Sequence, residues 1–283
     1  MADVIKVQYA GRIATITIDN EKKLNALGFE GYYALAKALR EIAVRDDIYI
    51  TVLTGKGRYF SASKTHQPPS GADVSIGSKP DDPSNPSRPS DTYEHWLRSF
   101  VANNLSLTRA LYTHPKILVA ALNGPAVGLS AALTAHADFV YCAPHTFLLM
   151  PFSSLGLVAE GGASHAMVQR LGISKANEAL IQSKRISCDD LVRTGFVNKV
   201  FDCAKGDSDG FLKQVMKEIE DTMGDHLNND SLLGIKALIQ KPHRDTLEKQ
   251  NVAEVFAGLD RFVSGVPEEE FDKIASGKKR HKL

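Results

Sequence analysis

Glu160 is a lone carboxylate within residues 155–162, which are otherwise apolar or glycine. A carboxylate that is kept away from water and from cations has a raised pKa, which suits a general acid or base. The alternative is a structural role, because the helix dipole stabilises an acidic residue at the start of a helix. The spacing of these residues leaves both interpretations open.

Two further segments combine small residues with predicted turns. Residues 58–65 leave a predicted strand, and residues 123–133 run from another strand through a Gly/Pro turn into a helix. The first turn of a helix presents unpaired N–H groups, which would polarise a carbonyl oxygen placed there. The small side chains of Ser130, Ala131 and Ala132 permit close packing. An ordinary strand exit and tight helix-to-sheet packing without a ligand are the alternatives.

The elements that must position these segments alternate between strands and helices. Alternating apolar residues predict a β-hairpin over residues 4–18, and helical spacing predicts a helix over residues 29–44. A β-branched run over residues 48–53 predicts a buried strand. This alternation indicates βαβ units with right-handed crossovers. The same patterns predict helices over 93–113, after Gly128, over 164–171 and over 175–183, and strands over 117–122, 139–141 and 146–149.

The C-terminal part of the chain has a different pattern. The strand signal disappears from about Asp207, and only helices are predicted beyond it. We therefore expect an α/β core over residues 1–206, a helical region over 207–276 and a short tail over 277–283. The predicted separators of these helices are Gly224, Gly234 and Pro242, and Pro267 opens the last of them.

Residues 66–91 are rich in proline and serine and almost lack large apolar residues. This composition predicts a loop or a disordered insert rather than an element of the core. The segment is either a solvated surface excursion or a flap beside a binding site, because it directly follows one of the two candidate segments.

Composition narrows the possible partners. The net charge of +1 gives the chain no general attraction for nucleic acid or for an anionic membrane. The sequence lacks a run of about 18 apolar residues, so we expect no transmembrane helix.

The number of cysteines is odd, they are widely spaced, and the sequence lacks a secretory signal. These features predict reduced thiols inside the cell, and no pair of cysteines has the spacing of metal ligands. These cysteines are Cys142, Cys188 and Cys203.

Four short motifs resemble those of the crotonase (enoyl-CoA hydratase/isomerase) superfamily in order and separation, over about residues 4–202. They are residues 23–27, residues 58–65, Asn123-Gly124-Pro125 with Gly128, and residues 155–157 with Gly161-Gly162. The resemblance implies a spiral of ββα units with a helical C-terminal trimerisation region. It also implies an acyl-CoA thioester as substrate, with coenzyme A as part of the substrate and no separate cofactor or metal.

The resemblance further implies an oxyanion hole formed by the backbone N–H groups of Lys64 and Leu129. Each such donor contributes about 2.7–4 kcal/mol to the stabilisation of a developing oxyanion. The family usually has Gly-Ala-Asp where this chain has Ser63, Lys64 and Thr65, and a serine would be strained if that glycine needs a positive φ. The implied substrate-binding residues are Ala26, Ala62, Ser63, Lys64, Thr65, His66 and Leu129.

Catalytic carboxylates separate the branches of this family. The two glutamates of the hydratases fall on Ala132 and Phe152, which cannot activate water. Glu160 falls where the similar fungal peroxisomal isomerases carry one acid/base, and Asn104 falls on their nearby asparagine, although a helix-surface amide is its alternative. The resemblance thus implies conversion of 3-enoyl-CoA to trans-2-enoyl-CoA. A hydratase-type reaction and a non-catalytic CoA-binding role are the other hypotheses.

The C-terminal residues His281, Lys282 and Leu283 are a variant of the Ser-Lys-Leu address that directs proteins to peroxisomes. The chain is therefore expected in the peroxisome, with the import receptor as a partner. The family resemblance also implies a homotrimer or a hexamer built from two trimers.

Overall fold

The computed structural model describes residues 4–62 and 91–279. Its first two strands, β1 (Ile5–Ala10) and β2 (Ile13–Ile18), pair antiparallel across a tight turn. Gly11 occupies this turn with a φ of +55°, a left-handed conformation that glycine adopts readily. The predicted β-hairpin is confirmed.

The hairpin forms one side of a six-stranded sheet. The remaining strands are β3 (Ile50–Gly55), β4 (Ile117–Leu122), β6 (Phe139–Cys142) and β9 (Lys199–Val200). The order is β1-β2-β3-β4-β6-β9, and every pair of neighbours after the hairpin is parallel. All residues of β3 and β4 are buried, as expected for parallel strands that are covered on both faces.

A second, smaller sheet contains three short strands in the order β5-β7-β8. They are β5 (Ala126–Val127), β7 (Phe147–Leu149) and β8 (Ile186–Ser187). The chain passes from β4 in the main sheet directly to β5 in the small one. The strands β5, β8 and β9 were not predicted, because two residues are too few to show a periodic pattern.

The first five helices confirm the predicted helical segments with two local changes. The segment 93–113 begins with α2, continues through a π-helical turn at Leu97–Val101 and ends with α3. The two helices predicted around residues 164–183 form one element, α5, with non-helical backbone at Gly172. The bounds are α1 (Phe29–Ala43), α2 (Thr92–Trp96), α3 (Ala102–Tyr112), α4 (Leu129–Leu133) and α5 (Ala163–Leu180).

Four helices follow, and the described residues beyond 207 contain no strand, as predicted. The prediction that Gly234 and Pro242 separate helices is wrong, because both lie inside α8, which is 35 residues long. Both residues are exposed, and the helix continues through them despite a propensity cost of about 1 kcal/mol for glycine and about 3 kcal/mol for proline, because buried residues such as Lys236 and Leu247 anchor it on either side of Pro242. The bounds are α6 (Cys188–Arg193), α7 (Ser208–Met223), α8 (Asn229–Val263) and α9 (Val266–Ala275).

Within the described ranges, no helix is both long enough and apolar enough to cross a membrane. Of the loop predicted over residues 66–91, Asp91 alone is described, and its side chain accepts a hydrogen bond from the N–H of Glu94 at the start of α2. The tail residues 280–283 lie outside the described part of the chain. The division at residues 206 and 276 stays a prediction.

Aromatic side chains hold the C-terminal end of α8 against α2 and the π-helical turn. Phe262 stacks on Trp96, with their ring centroids 4.3 Å apart, and its centroid lies 4.7 Å from that of Phe100. All three side chains are buried in one cluster with Val255 and Leu259. Because α3 directly continues the π-helical turn, this cluster places the middle of α8 beside α3.

A buried ion pair anchors the N-terminal half of α8. The Lys236 Nζ lies 2.6 Å from the Asp138 Oδ2 and 2.6 Å from the backbone oxygen of Lys116, to which it donates. The same Asp138 oxygen accepts the N–H of Leu118 at 2.7 Å. Removing one partner would leave a buried charge unpaired, which costs far more than the loss of an exposed pair.

We therefore predict that Asp138→Asn lowers the free energy of unfolding by about 3 kcal/mol. The matched control is Glu41→Gln on α1, whose partner Lys37 lies 3.7 Å away with both side chains 59% exposed. The control should lose less than about 1 kcal/mol. Urea denaturation at neutral pH measures both values, and an equal loss in the two variants would contradict the anchoring role.

Candidate active site

Glu160 lies immediately before a turn of two glycines that leads into α5. Gly161 and Gly162 have φ values of +73° and +71°, a region that side chains rarely adopt. A Cβ on Gly161 would lie 2.9 Å from the Leu129 side chain at the start of α4. Glycine at this position therefore allows the Glu160 turn to lie directly against α4.

Asn104 on α3 is the hydrogen-bond partner of this carboxylate. Its Nδ2 donates to the Glu160 Oε2 over 3.1 Å, and its Oδ1 accepts from the Thr108 hydroxyl over 3.3 Å. Asn104 is 4% exposed and Glu160 is 6% exposed. The helix-surface alternative for Asn104 is therefore wrong, because its amide points into the protein and fixes one carboxylate oxygen.

Burial is the main cause of the unusual proton affinity of Glu160. It raises the pKa of Glu160 to about 8; the nearby carboxylate of Glu254 adds to the rise, whereas the hydrogen bond from Asn104 lowers it. A helix-terminal charge in solvent would lack the effect of burial. Near neutral pH this carboxyl therefore exchanges its proton readily, as a general acid/base must.

The two predicted loop segments meet through backbone hydrogen bonds. The N–H of Val127 donates to the Ser61 oxygen over 2.9 Å, and the N–H of Phe60 donates to the Pro125 oxygen over 3.1 Å. Asn123 reinforces this contact, because its buried side chain accepts the Gly55 N–H and donates to the Gly57 oxygen. The sequence motif Asn-Gly-Pro thus joins the end of β3 to the beginning of α4.

Close backbone contact also explains the glycine in this motif. A Cβ on Gly124 would lie only 2.2 Å from the backbone oxygen of Arg58. No side chain fits at that separation without a shift of the backbone. The glycine therefore lets residues 58–62 run directly beside residues 124–127.

Leu129 is the first residue of α4, and its side chain is half-buried. The N–H groups of the first helical turn have no partner within the helix, so that of Leu129 is a suitable donor for a ligand oxygen. Ala26 and Ala62 are buried nearby, and the Ala62 N–H donates to the Leu24 oxygen over 2.9 Å. The other predicted binding residues, Ser63, Lys64, Thr65 and His66, lie outside the described residues, so the first oxyanion donor stays a prediction.

A chain of hydroxyl groups that the sequence did not reveal supports the start of α4. Ser61 Oγ lies 2.8 Å from the Asn25 oxygen and 2.9 Å from Ser130 Oγ, which lies 3.3 Å from the Tyr32 hydroxyl. Ser61 is placed to donate either to the Asn25 oxygen or to Ser130, and either hydroxyl of the Ser130–Tyr32 pair can be the donor. The contributing residues are far apart in the chain, and no periodic pattern marks them.

Glu254 on α8 is a second buried carboxylate that the sequence analysis missed. Its two oxygens accept the N–H groups of Gly162 and Ser164, each over 2.7 Å. The available signal was an acidic residue on the helix face that carries Val255, Leu259 and Phe262. A carboxylate in such a position requires partners, and here the partners are the first N–H groups of α5.

The positions of the hydratase glutamates hold no acid. Ala132 and Phe152 are buried apolar residues, and a Cβ on Gly161 would lie 3.4 Å from that of Ala132. Ala132 is therefore next to the Glu160 turn without supplying a proton donor. Across the described ranges, no group of three or more potential metal ligands occurs.

A basic cavity opens beside the loops that contain Ala26 and Ala62. Its volume is about 340 Å³, and its lining residues are Glu21, Lys22, Leu24, Lys56, Arg58 and Tyr59. Three of them are cations, which makes the cavity suitable for an anionic group. The Lys56 ammonium also lies 2.7 Å from the Asp209 carboxylate on α7.

The fold and this site define a class that comparison with known proteins identifies. The family described as "Enoyl-CoA hydratase/isomerase" matches residues 92–261, and the chain belongs to this family. An enoyl-CoA hydratase/isomerase from Pseudoalteromonas atlantica superposes with a TM-score of 0.78 over 99% of this chain and all of that one, at 23% identity. The expected crotonase fold is therefore confirmed.

Two curated relatives match nearly the whole chain. A protein of Pyricularia oryzae named Delta(3,5)-Delta(2,4)-dienoyl-CoA isomerase is 59% identical over the full length of both chains. A protein of Saccharomyces cerevisiae named 3,2-trans-enoyl-CoA isomerase is 35% identical over 99% of this chain and 96% of its own. Both names denote isomerases that act on unsaturated acyl-CoA thioesters.

The raised pKa of Glu160 predicts a pH-dependent cost in stability. The folded protein holds this proton up to about pH 8, whereas the unfolded chain releases it near the ordinary value of 4.5. Stability should therefore fall as pH rises through this window, and Glu160→Gln should escape the loss. The difference in free energy of unfolding between this variant and the wild type should grow between pH 5 and pH 8. It should reach on the order of a few kcal/mol, because one pKa unit corresponds to about 1.4 kcal/mol.

Thermal and urea unfolding of both proteins from pH 5 to pH 9 measure this difference. Glu41→Gln serves as the control, because its side chain is 59% exposed and should show no comparable trend. A stability difference between Glu160→Gln and wild type that does not change with pH would contradict the burial of a proton at Glu160.

Proposed function

We propose that this protein is an isomerase of fatty acid β-oxidation that converts 3-enoyl-CoA thioesters to trans-2-enoyl-CoA. The observation that carries this proposal is the buried Glu160 carboxyl, with its pKa raised to about 8 and one oxygen held by Asn104. A shift of a double bond by one position requires removal of one proton and return of one proton. One carboxylate can perform both transfers.

The proposed reaction begins with the thioester oxygen between the N–H groups of Lys64 and Leu129. Glu160 removes a proton from carbon 2, and the electron pair moves toward the carbonyl to form a dienolate. The two N–H donors stabilise the negative charge on that oxygen. Glu160 then returns the proton to carbon 4, which leaves the double bond between carbons 2 and 3. Because Asn104 holds Oε2, we assign proton transfer to Oε1.

A hydratase reaction is less well supported by the same geometry. Addition of water across a double bond requires activation of the water as well as protonation of carbon. Ala132 and Phe152, at the two positions that the hydratases use, are apolar and buried. A purely CoA-binding role leaves the burial of Glu160 without a benefit, although the burial of a carboxylate is costly.

A second candidate activity is the conversion of 3,5-dienoyl-CoA to 2,4-dienoyl-CoA. The relative of this name is 59% identical over the full length of both chains, which favours it. The first step is the same removal of a proton from carbon 2, but the proton must return at carbon 6. Glu160 and the oxyanion donors would serve both reactions. The two reactions would differ in how far along the acyl chain Glu160 can return the proton, to carbon 4 or to carbon 6.

The decisive measurement is turnover of 3-hexenoyl-CoA, 3,5-octadienoyl-CoA and 2-hexenoyl-CoA by the purified protein. We expect isomerisation of the first and no hydration of the third. Glu160→Gln should lower isomerase turnover by roughly 10²–10⁴-fold, because it removes the proton acceptor. Binding of acyl-CoA should survive, since the shape of the side chain is kept.

The control for this measurement is again Glu41→Gln, which should retain wild-type turnover. Near-full activity of Glu160→Gln would contradict the assignment of Glu160 as the catalytic base. Turnover of the dienoyl substrate alone would replace the first candidate by the second. Binding of acyl-CoA without turnover of any of the three substrates would favour the non-catalytic alternative.

We also propose that the basic cavity receives phosphate groups of coenzyme A. Lys22, Lys56 and Arg58 line it, and it adjoins the loops that hold Ala26 and Ala62. The attraction of such cations for phosphate supports this role. Coenzyme A enters as part of the substrate, so the proposed reaction needs no separate cofactor.

We propose self-association as a trimer or a hexamer. The N-terminal half of α8 exposes Ile235, Leu238 and Ile239, which are 57%, 70% and 63% exposed. Their spacing of three and four residues places them on one side of the helix. Such an apolar strip on a surface helix is suited to contact with another copy of the chain.

We propose a peroxisomal location from the C-terminal residues His281, Lys282 and Leu283, which the import receptor would bind. A fluorescent protein that carries the last twelve residues of this chain should enter peroxisomes, whereas the same fusion without the tripeptide should stay outside. Equal import of both fusions would contradict the proposal. Removal of the tripeptide from the isomerase itself should leave its turnover unchanged.

A further inference from the structure

The turn that carries Glu160 is held from two sides by groups outside it. On one side, His136 Nε2 donates to the Gly161 oxygen over 2.7 Å. On the other side, both oxygens of Glu254 accept N–H groups, from Gly162 and from Ser164. Glu254 is 6% exposed and belongs to α8, far along the chain from this turn.

A turn of two glycines needs such external contacts. Gly161 and Gly162 have no side chains that could fix their conformation, and both adopt positive φ. Within the turn, the hydrogen bond from the Ala163 N–H to the Glu160 oxygen is long, at 3.3 Å. The two shorter contacts of Glu254, together with that of His136, therefore fix the turn at the point where Glu160 faces Asn104.

We propose that Glu254 is a positioning residue for Glu160, through which α8 holds the catalytic turn and places a second negative charge beside the reacting carboxylate. This inference rests on the proposed function, because it assigns Glu254 a part in the same proton transfer. Glu254 does not contact the substrate. It acts through its hydrogen bonds to the backbone of Gly162 and Ser164, and through the electrostatic effect of its negative charge on Glu160.

The other groups around Glu160 are uncharged near pH 7, so they do not offset a negative charge on Glu254. Asn104 on α3 is uncharged, and burial raises the pKa of Tyr32 on α1 to about 12, so its hydroxyl stays neutral. Burial lowers the pKa of His136, before β6, to about 4, so its ring also stays neutral near pH 7. Of these four neighbours, Glu254 is the one that can place a negative charge beside Glu160, because both of its oxygens accept N–H groups.

The hydrogen bonds of Glu254 favour its charged form. Burial raises the pKa of Glu254, whereas the hydrogen bonds from the N–H groups of Gly162 and Ser164 oppose that rise. Both oxygens accept hydrogen bonds, which suits a carboxylate and not an amide. In Glu254→Gln, an NH₂ group would face one of these N–H donors, and the charge would be lost.

The test compares the pH dependence of kcat/KM in the wild type and three variants. Glu254→Gln removes the charge and one acceptor, and Glu254→Asp keeps the charge but shortens the reach. The control is Glu248→Gln on the same helix, where Glu248 accepts from the Tyr112 hydroxyl over 2.8 Å and pairs with Arg109 at 3.3 Å. The control weakens the contact between α8 and α3 without touching the glycine turn.

In Glu254→Gln, we expect the acid limb of kcat/KM to move to lower pH by about 1 unit, because a nearby like charge is gone. The plateau should fall by roughly 10- to 100-fold through misplacement of Glu160. Glu254→Asp should lower the plateau without moving the limb, and Glu248→Gln should change neither. A limb that stays at the wild-type pH in Glu254→Gln, or that moves equally in the control, overturns the proposal.

If Glu254→Gln does not fold, the pH profile of Glu254→Asp tests the proposal in its place. A lower plateau with an unmoved limb supports the proposal, and a wild-type profile overturns it. A readout independent of turnover is the stability gained by Glu160→Gln as a function of pH, measured with and without Glu254→Gln or Glu254→Asp. The gain should rise with pH and level off near pH 8 in the parent, and it should level off at lower pH only when the charge at residue 254 is removed.

This stability readout also separates the two proposals. Failure of the wild type to convert any unsaturated acyl-CoA would remove the proposed function, and the pH at which the stability gain levels off could still be measured. An active wild type in which Glu254→Gln leaves this pH unchanged would remove the positioning role alone.

Discussion

The exclusion of water from one carboxyl group is the constraint on which the rest of the site depends. Glu160 is almost fully buried, so its charged form is costly and its pKa rises to about 8. A carboxyl in solvent would be fully ionised near pH 7 and would be too weak a base to remove a proton from carbon. In the proposed reaction the burial must not be complete, because the carboxyl has to meet an acyl chain. The surrounding elements balance these two demands.

Backbone contacts supply most of the positioning around this carboxyl. The chain leaves β3 and β4 at neighbouring points, and the Asn123 side chain joins the two exits through hydrogen bonds to backbone groups. The short step through β5 then starts α4 beside residues 58–62. Hydrogen bonds among the hydroxyl groups of Tyr32, Ser130 and Ser61 fix the same region. Stabilisation of an oxyanion needs donors that do not reorganise, and this rigidity fits that need.

How much could be predicted from the sequence differs between local and long-range features. The hairpin, the buried strands β3 and β4 and the position of Glu160 before α5 follow from periodicity and from local composition. The contacts that define the site link residues such as Asn104 and Glu254, which are distant in the chain. Periodic patterns cannot show which buried polar groups meet. Pro242 was wrongly predicted to separate two helices for a related reason, because α8 is anchored by buried residues on either side of it, such as Lys236 and Leu247, which local propensity does not show.

The single continuous helix α8 also imposes an order on the formation of the site. Its residues are synthesised after all nine strands of the described sheets, yet it carries the ion pair of Lys236, the carboxylate of Glu254 and the ring of Phe262. A nascent chain therefore contains every strand of these sheets before this helix is available. The glycine turn would then lack one of its two supports. Until α8 has been synthesised, the chain therefore lacks the two hydrogen bonds by which Glu254 holds this turn.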